Sequence, residues 1–582
     1  MFSKMKKLLA LFGLICWSIL SEAGPADPYL HTYTQPDGST VSYYLHGDEH
    51  INWMTTENGD VIEIGEDGFV HPAAMPSERE FERAAIGRRN IAVKPRSGTQ
   101  TGTRHILVVL VQYPDCPFTV SKAKFEDFFN GSGAGSTDSV KNYFNEQSDG
   151  LFSPVFDVYG PVTVANNRAT YKNNAQGALA DAIGKLVDDG TLTLANYVTS
   201  SWGSLEYYIE DVIMIFAGHS RASGDEDGIW PSMVTGNIYS KGKYYVNKFC
   251  SAPELQGSSG TTMAGIGHIC HEFGHCMGLP DFYDTNTSEH GSNVAHGCLS
   301  FSIMDRGSYN NSSKTPPPMS MYEKSICGWA NMDEVPKIAS SGNMTLYEIG
   351  QGSDKTRAFI IPTDKEGEFF ICEYRSTNNS VNKWGAGLQK GGLLVFHLDG
   401  SDREVTQDGN TNTAAEWLDY GTINNNGSHP LYYLVQSANP GDRKLTTNSN
   451  DPNYNANLQK MPFPGSQNIV HYNPVSWNNT TTYVSLSGLS YTAANASMNF
   501  SAHVRSYPLI NNPKSGAYSA GNFTLKLSPG LSGSESVTTW YYDGNAVDSS
   551  EPRPVINLTA GSHVIEAVLS SGKRLRLEMS VK

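Results

Sequence analysis

The chain has 582 residues and a formal net charge of −16, from 58 acidic and 42 basic side chains. No basic run stands out, so the electrostatic footprint of a nucleic-acid-binding protein is missing. Aromatic content of 11%, with 30 tyrosines and 56 glycines against 17% charged residues, suits a β-rich extracellular protein of several domains better than a disordered chain.

The first residues read MFSKMKKLLALFGLICWSILSEAG, with lysines, a short apolar run, then small residues before Gly24. This is the pattern of a secretory signal peptide over residues 1–23, and the run is too short to span a bilayer comfortably. No later stretch is long and apolar enough to cross a membrane, so no transmembrane segment is expected. Residues 24–100 hold alternating runs such as VSYYLHG and DVIEIG between PDG and EDG turns, which read as hairpins. A charged, helix-patterned stretch, SEREFERAAIGRRN, follows and ends in Arg88-Arg89 and Lys94-Pro95-Arg96 within a Gly/Ser/Thr-rich linker. The layout is propeptide-like, with an exposed basic cleavage site. It contains no cysteine after residue 23, so any latency would fall to an acidic or histidine side chain such as Asp48, Glu49 or His50.

From Arg104, HILVVLVQY is a continuous apolar run expected as a buried strand. SVKNYFNEQSDG (139–150) and QGALADAIGKLVDDG (176–190) have helical spacing and stop at glycine, and IEDVIMIFAGH (209–219) is a second strand. The loop SGDEDGIW (223–230) carries Asp225, Glu226 and Asp227, a cluster of oxygen ligands suited to calcium or, equally simply, a solvated acidic loop.

The stretch 268–284, HICHEFGHCMGLPDFYD, organises the chain. His271 and His275 lie four apart, on one face of a helix, with Glu272 beside the first where a carboxylate reaches a metal-bound water without ligating the metal. Gly278 is placed to end the helix in the left-handed region, and Pro280 forbids its resumption. A sharp turn there brings Asp281 under the two histidines as a third ligand, leaving an open position of the kind a catalytic zinc keeps. His268, Glu323 and Asp284 are rival ligands on spacing alone.

HEFGHCMGLPDFYD resembles the signature of the immune-inhibitor-A-like secreted metallopeptidases, a metzincin-type group with HExxHxxGxxD. SFSIMDRGSYN looks like the group's Met-turn, with Met304 flooring the metal, and PPPMSMYEKSICGW (316–329) looks like its closing segment. The resemblance implies an α+β zincin/metzincin-like catalytic domain over residues 101–335, and the order strand, helix, helix, strand, active-site helix agrees. It implies Zn²⁺ on His271, His275 and Asp281, Glu272 as general base, and protein or peptide substrates. Tyr309, just after the Met-turn, is a candidate donor to the oxyanion; packing alone is the plainer role.

Beyond Trp329 the pattern turns to short strands, TLYEIG, AFIIPT, GEFFICEYR and GGLLVFHLD, giving a β-rich domain over 336–505 in which His397 and Asp399 read as structural. FTLKLSPG, VTTWYYDGNAV, HVIEAVLSSG and LRLEMSVK give an all-β, Ig-like sandwich pattern over 506–582. These C-terminal modules suit spacing, or contact with a cell surface or matrix. Seven cysteines follow residue 23, an odd number, so they cannot all pair internally; one or two disulfides near the histidines and reduced buried thiols are both open. The best reading is a secreted zinc endopeptidase. The rivals are a zinc-stabilised adhesin and a zinc hydrolase of another amide.

Overall fold

The computed structural model describes all residues except 1–19, 23–25, 28, 49–50, 66, 78–79, 81–99, 132–138, 286–294, 349–354, 408, 444–453, 479–481, 505–508, 511–519, 529–535, 548–552, 573 and 582. The expected signal peptide, the helical stretch near residue 80 with its basic cleavage site, and Glu49 and His50 thus lie almost wholly outside the described residues. Of the first 23, only Leu20–Glu22 are described, as a short strand.

The expected hairpins are one antiparallel meander of five strands, running from His31–Thr34 to Val70–Pro72. Its inward side chains Tyr43, Leu45 and Ile62 pack on Ala222 and Trp230 of the following region.

That region is built on β1 (Gly102–Gln112), β2 (Phe152–Thr163), β3 (Val212–Phe216), β4 (Met233–Lys241) and β5 (Tyr244–Pro253). They lie in the order β4-β5-β3-β1-β2, and Leu20–Glu22 pair antiparallel with β4 at its outer edge. β3, β1, β2 and β5 run parallel, while β4 is antiparallel to β5. Ile106 through Val111 on β1 are fully buried, as are Val212 to Phe216 but for a trace at Ile215. Helices cover both faces, which is why these strands read as unbroken apolar runs rather than alternating ones.

Four helices matter: α1 (Lys122–Asn130), α2 (Val140–Gln147), α3 (Ala175–Asp188) and α4 (Ile266–Cys276). Ser139 caps α2, accepting from the Asn142 N–H, and Asn174 caps α3 through Gly177. α3 packs with β1, Val212 and Val234 in one core, whereas α1, α2 and α4 share the core on the other face. The strand and helix assignments at 104–113, 139–150, 176–190 and 209–219 hold; α1, β2, β4 and β5 add to them.

Downstream, β6 (Ala358–Pro362), β7 (Glu368–Arg375), β8 (Gly392–Asp399) and β9 (Tyr432–Leu434) form an antiparallel sheet. Its two faces feed different cores. Ile371, Leu394 and Phe396 join the core under α4, whereas Phe370, Leu393 and Val395 join a second four-stranded sheet made from 342–347, 497–504, 484–487 and 471–472. The hydrophobic core is therefore continuous across residue 335, where the sequence suggests a boundary. His397 is structural, bonded to the Glu368 carboxylate at 2.9 Å and to the Tyr433 hydroxyl at 2.9 Å. The last region has its own core around Trp540 and Ile565, on a sheet ordered 545–547, 537–542, 561–569, 574–581. The whole is a mixed α+β protein rich in strands. No helix among the described residues is long and apolar enough to cross a membrane.

Candidate metal centre

α4 runs from Ile266 and ends in a Schellman motif: the Leu279 N–H donates to the Gly274 carbonyl at 3.0 Å and the Gly278 N–H to His275 at 2.9 Å. Gly278 has φ +99°, the conformation its position in the sequence required. The reversed chain then carries Asp281 under the helix. Asp281 Oδ1 lies 3.4 Å from Nε2 of His271 and 3.4 Å from Nε2 of His275.

Those three atoms all lie within 4.8 Å of one another, and the three side chains are buried. His271 Nδ1 sits 2.7 Å from the Ile303 carbonyl and His275 Nδ1 2.8 Å from the Leu279 carbonyl. A carbonyl only accepts, so both rings carry a proton on Nδ1, and in the neutral form both turn the Nε2 lone pair toward Asp281. Two imidazole nitrogens, each ring oriented by a main-chain carbonyl, and one carboxylate oxygen are a donor set that fits zinc. This is the one such group of His, Cys, Asp and Glu among the described residues.

The electrostatics agree with the geometry. Burial works against charge on His271, but Asp281 and the neighbouring Glu272 hold its pKa above the ordinary value. Burial likewise opposes charge on Asp281, and the two imidazoles nonetheless hold its pKa down to about 2. Glu272 is 2% exposed, in the same turn as His271.

The segment around Met304 ties the parts together. Ile303 supplies the carbonyl that orients His271, and the next carbonyl, Met304, accepts from the Phe282 N–H at 2.8 Å, holding the residue after Asp281. Met304 is fully buried against α4 at Gly274, where a Cβ would meet its sulfur at 2.8 Å. Asp305 is saturated by four donors: His296 Nδ1 at 2.5 Å and the N–H groups of Cys298, Leu299 and Arg306, each at 2.8 Å.

The rival ligands are used elsewhere. His268 Nε2 bonds Ser313 Oγ at 3.0 Å, its ring packs edge-on to Tyr309, and burial with the nearby His271 charge pushes its pKa down to about 4. Glu323 caps α5 (Met321–Ile326) and accepts from Ser302 Oγ at 2.5 Å, so its carboxylate braces the 302–304 segment. Asp284 is buried but outside the converging group. Tyr309 is buried near Glu272; burial first, then the charges of Asp27 and Glu272, push its phenol well up. Asp225 is gripped by Arg168 through both oxygens, at 2.7 and 3.1 Å, so the acidic loop 225–227 meets a cation from within the chain. Asp48 closes a turn, accepting from the Ile51 N–H at 3.2 Å. The seven described cysteines are thiols, all buried but the half-buried Cys116.

Sequence reasoning passed over the two backbone carbonyls, the Asp305 network, and Gly267 and Gly274. The glycines had a signal: seven apart, they share the helix face that bears the histidines.

Residues 217–329 match the family model described as immune inhibitor A peptidase M6, catalytic domain. Over that stretch the chain is similar to that catalytic domain. The match takes in the helix, the Asp281 turn, the segment around Met304 and residues 316–329. Among curated proteins the chain is 24% identical over 292 residues to immune inhibitor A of Bacillus thuringiensis subsp. alesti, covering 40% of this chain and 41% of that protein. It is 21% identical over 323 residues to the pre-pro-metalloprotease PrtV of Vibrio cholerae serotype O1, covering 45% of this chain and 34% of that protein. The chain thus spans well under half the length of these relatives. The matched model is that of a peptidase catalytic domain, and one of these relatives is named a metalloprotease.

Proposed function

We propose that this protein is a secreted, zinc-dependent endopeptidase that hydrolyses peptide bonds of extracellular proteins. The observation that carries the reading is the convergence of His271 Nε2, His275 Nε2 and Asp281 Oδ1, with Glu272 in the same helical turn. Zinc held there supplies a Lewis-acid charge that polarises a carbonyl and acidifies water. Glu272 takes the proton from the attacking water and returns it to the leaving amine. Tyr309 donates a hydrogen bond to the oxyanion as the carbonyl becomes tetrahedral. Met304 holds the floor, so the ligands do not shift as charge moves above them.

Residues 1–23 act as the signal peptide and 24–100 as a pro-segment in this reading. The Ig-like C-terminal region spaces the enzyme from, or attaches it to, a surface or matrix. At the 225–227 loop Arg168 already neutralises Asp225, which leaves Glu226 and Asp227 as its oxygen ligands for calcium.

The test is Glu272→Gln in the secreted protein, with casein as substrate. Zinc content stays at about one ion per chain, while turnover falls at least ~10³-fold, the usual worth of a positioned general base. A chelator abolishes activity in the unaltered protein and zinc restores it. Unchanged turnover in the variant removes Glu272 from the mechanism.

A further inference from the structure

The residue that follows Asp281 is held from outside the matched stretch. The Phe282 N–H donates to the Met304 carbonyl at 2.8 Å, and the Phe282 carbonyl accepts from the Gly297 N–H at 3.1 Å. Both of those partners lie within residues 217–329. A third bond to the same carbonyl, at 2.8 Å, comes from Nδ2 of Asn424, 142 residues downstream on the approach to β9. The peptide plane joined to Asp281 and the one after it are thus both tied, the second by the β-rich region.

Asn424 is fully buried, and its amide uses its whole hydrogen-bonding capacity. Nδ2 donates to the carbonyls of Phe282 and Tyr432 at 2.8 and 2.7 Å, while Oδ1 accepts from the N–H groups of Leu431 and Tyr432 at 3.0 and 3.2 Å. Three of these four bonds fix the amide to the chain at β9, so its remaining N–H is aimed at Phe282 by β9 alone. Burying an amide is costly unless every polar atom is satisfied, and here the last one is satisfied only by the turn that carries the third ligand. The chains meet closely. A Cβ on Gly297 would stand 2.4 Å from Asn424 Nδ2, 2.6 Å from the Phe282 oxygen and 2.7 Å from the Tyr432 oxygen. The next residue repeats the grip: Asn425 Oδ1 accepts from the Thr285 N–H and from the Thr285 hydroxyl, each at 3.0 Å. Residues 282–285, which follow the third ligand, are therefore clamped at both ends from beyond residue 335.

We infer that Asn424 and Asn425 are positioning residues for the metal centre, acting on Asp281 through the main chain of 282–285. Neither touches the metal-binding atoms. The consequence is that the peptidase unit includes the β-rich region and is incomplete at residue 335. The inference rests on the reading of His271, His275 and Asp281 as a metal centre, and groups that hold a ligand from behind are typically worth ~10- to 100-fold in metal affinity.

The experiment uses the full chain, loaded with zinc or with cobalt. Asn424→Asp is nearly isosteric: it keeps the acceptor for Leu431 and Tyr432 and removes the donor to Phe282. Zinc affinity, measured by chelator competition at a temperature where calorimetry shows the variant folded, falls ~10- to 100-fold. The visible bands of the cobalt form shift in position. Band position reports the ligands of the bound ion, so partial unfolding lowers the intensity and leaves the position alone. Asn425→Ala lowers zinc affinity by about tenfold, the lower end of that range, and carries the test if Asn424→Asp does not fold. Variants that melt earlier yet keep the parent's zinc affinity and cobalt bands overturn the positioning role while leaving the metal centre standing. A parent protein that binds neither ion overturns both.

Discussion

Gly267→Ala sets helix propensity against packing, and the two predict opposite signs. In a solvated helix interior, alanine for glycine stabilises by ~0.5–1 kcal/mol. Gly267 is in the first turn of α4, and a Cβ there would stand 2.0 Å from the Ser308 carbonyl oxygen and 3.0 Å from that of Ser313. Both neighbours are backbone, so relief requires the 306–313 segment to move by about 1 Å, and overpacking of this kind costs ~1–3 kcal/mol or more. The net expectation is a loss of ~1–2 kcal/mol, read as a melting temperature lowered by at least ~3 °C. Gly274→Ala is the control: its Cβ would meet the Met304 sulfur at 2.8 Å, a flexible side chain that can yield. Its melting temperature falls less, while zinc affinity falls because the floor shifts. Scanning calorimetry of the metal-free proteins decides the order. A Gly267→Ala protein as stable as the parent refutes the close approach of α4 to the segment after the Met-turn.

Asp281→Asn keeps the shape but removes the anionic donor, and zinc affinity measured by chelator competition falls at least ~100-fold, since even outer-sphere partners are worth 10–100-fold; an unchanged affinity would mean another ligand. Glu323→Gln, by contrast, weakens the cap of α5 and its bond to Ser302, lowering the melting temperature while leaving zinc stoichiometry at one per chain. The metal-free protein has a pH signature of known sign. Because the folded pKa of His271 is raised, its proton stabilises that form fully below the unfolded value near 6.5, and this contribution is lost as pH rises through the folded value. Zinc entry expels that proton, so zinc affinity weakens as pH falls through the same window, by about tenfold per pH unit for one proton released. Flat affinity between pH 5 and 8 would contradict the contact between Asp281 and His271.

The convergence of His271, His275 and Asp281 was legible because its determinants are local. The i, i+4 pair, the glycine that ends α4 and the proline behind it lie within a dozen residues, and each states its requirement in one letter. Met304 was singled out through resemblance rather than physics. What stayed hidden acts across the fold or through the main chain: the carbonyls of Ile303 and Leu279 have no side-chain signature, and Glu323 reads as a ligand until its capping box with Ser320 is seen. The acidic loop at 225–227 suggested a cation site because Arg168, its partner, is some sixty residues away. β8 looked like an ordinary strand of a separate domain; its eight consecutive buried residues instead reflect a sheet covered on both sides, one side by the core beneath α4.

Main-chain carbonyls of Ile303 and Leu279 aim both imidazoles, so their orientation does not depend on the ion. The ordering entropy that a zinc finger must find at the moment of metal capture has been met here by the fold. A chelated sample should therefore remain folded and accept zinc or cobalt again without renaturation, so that metal exchange in this protein is a reversible titration of a standing scaffold.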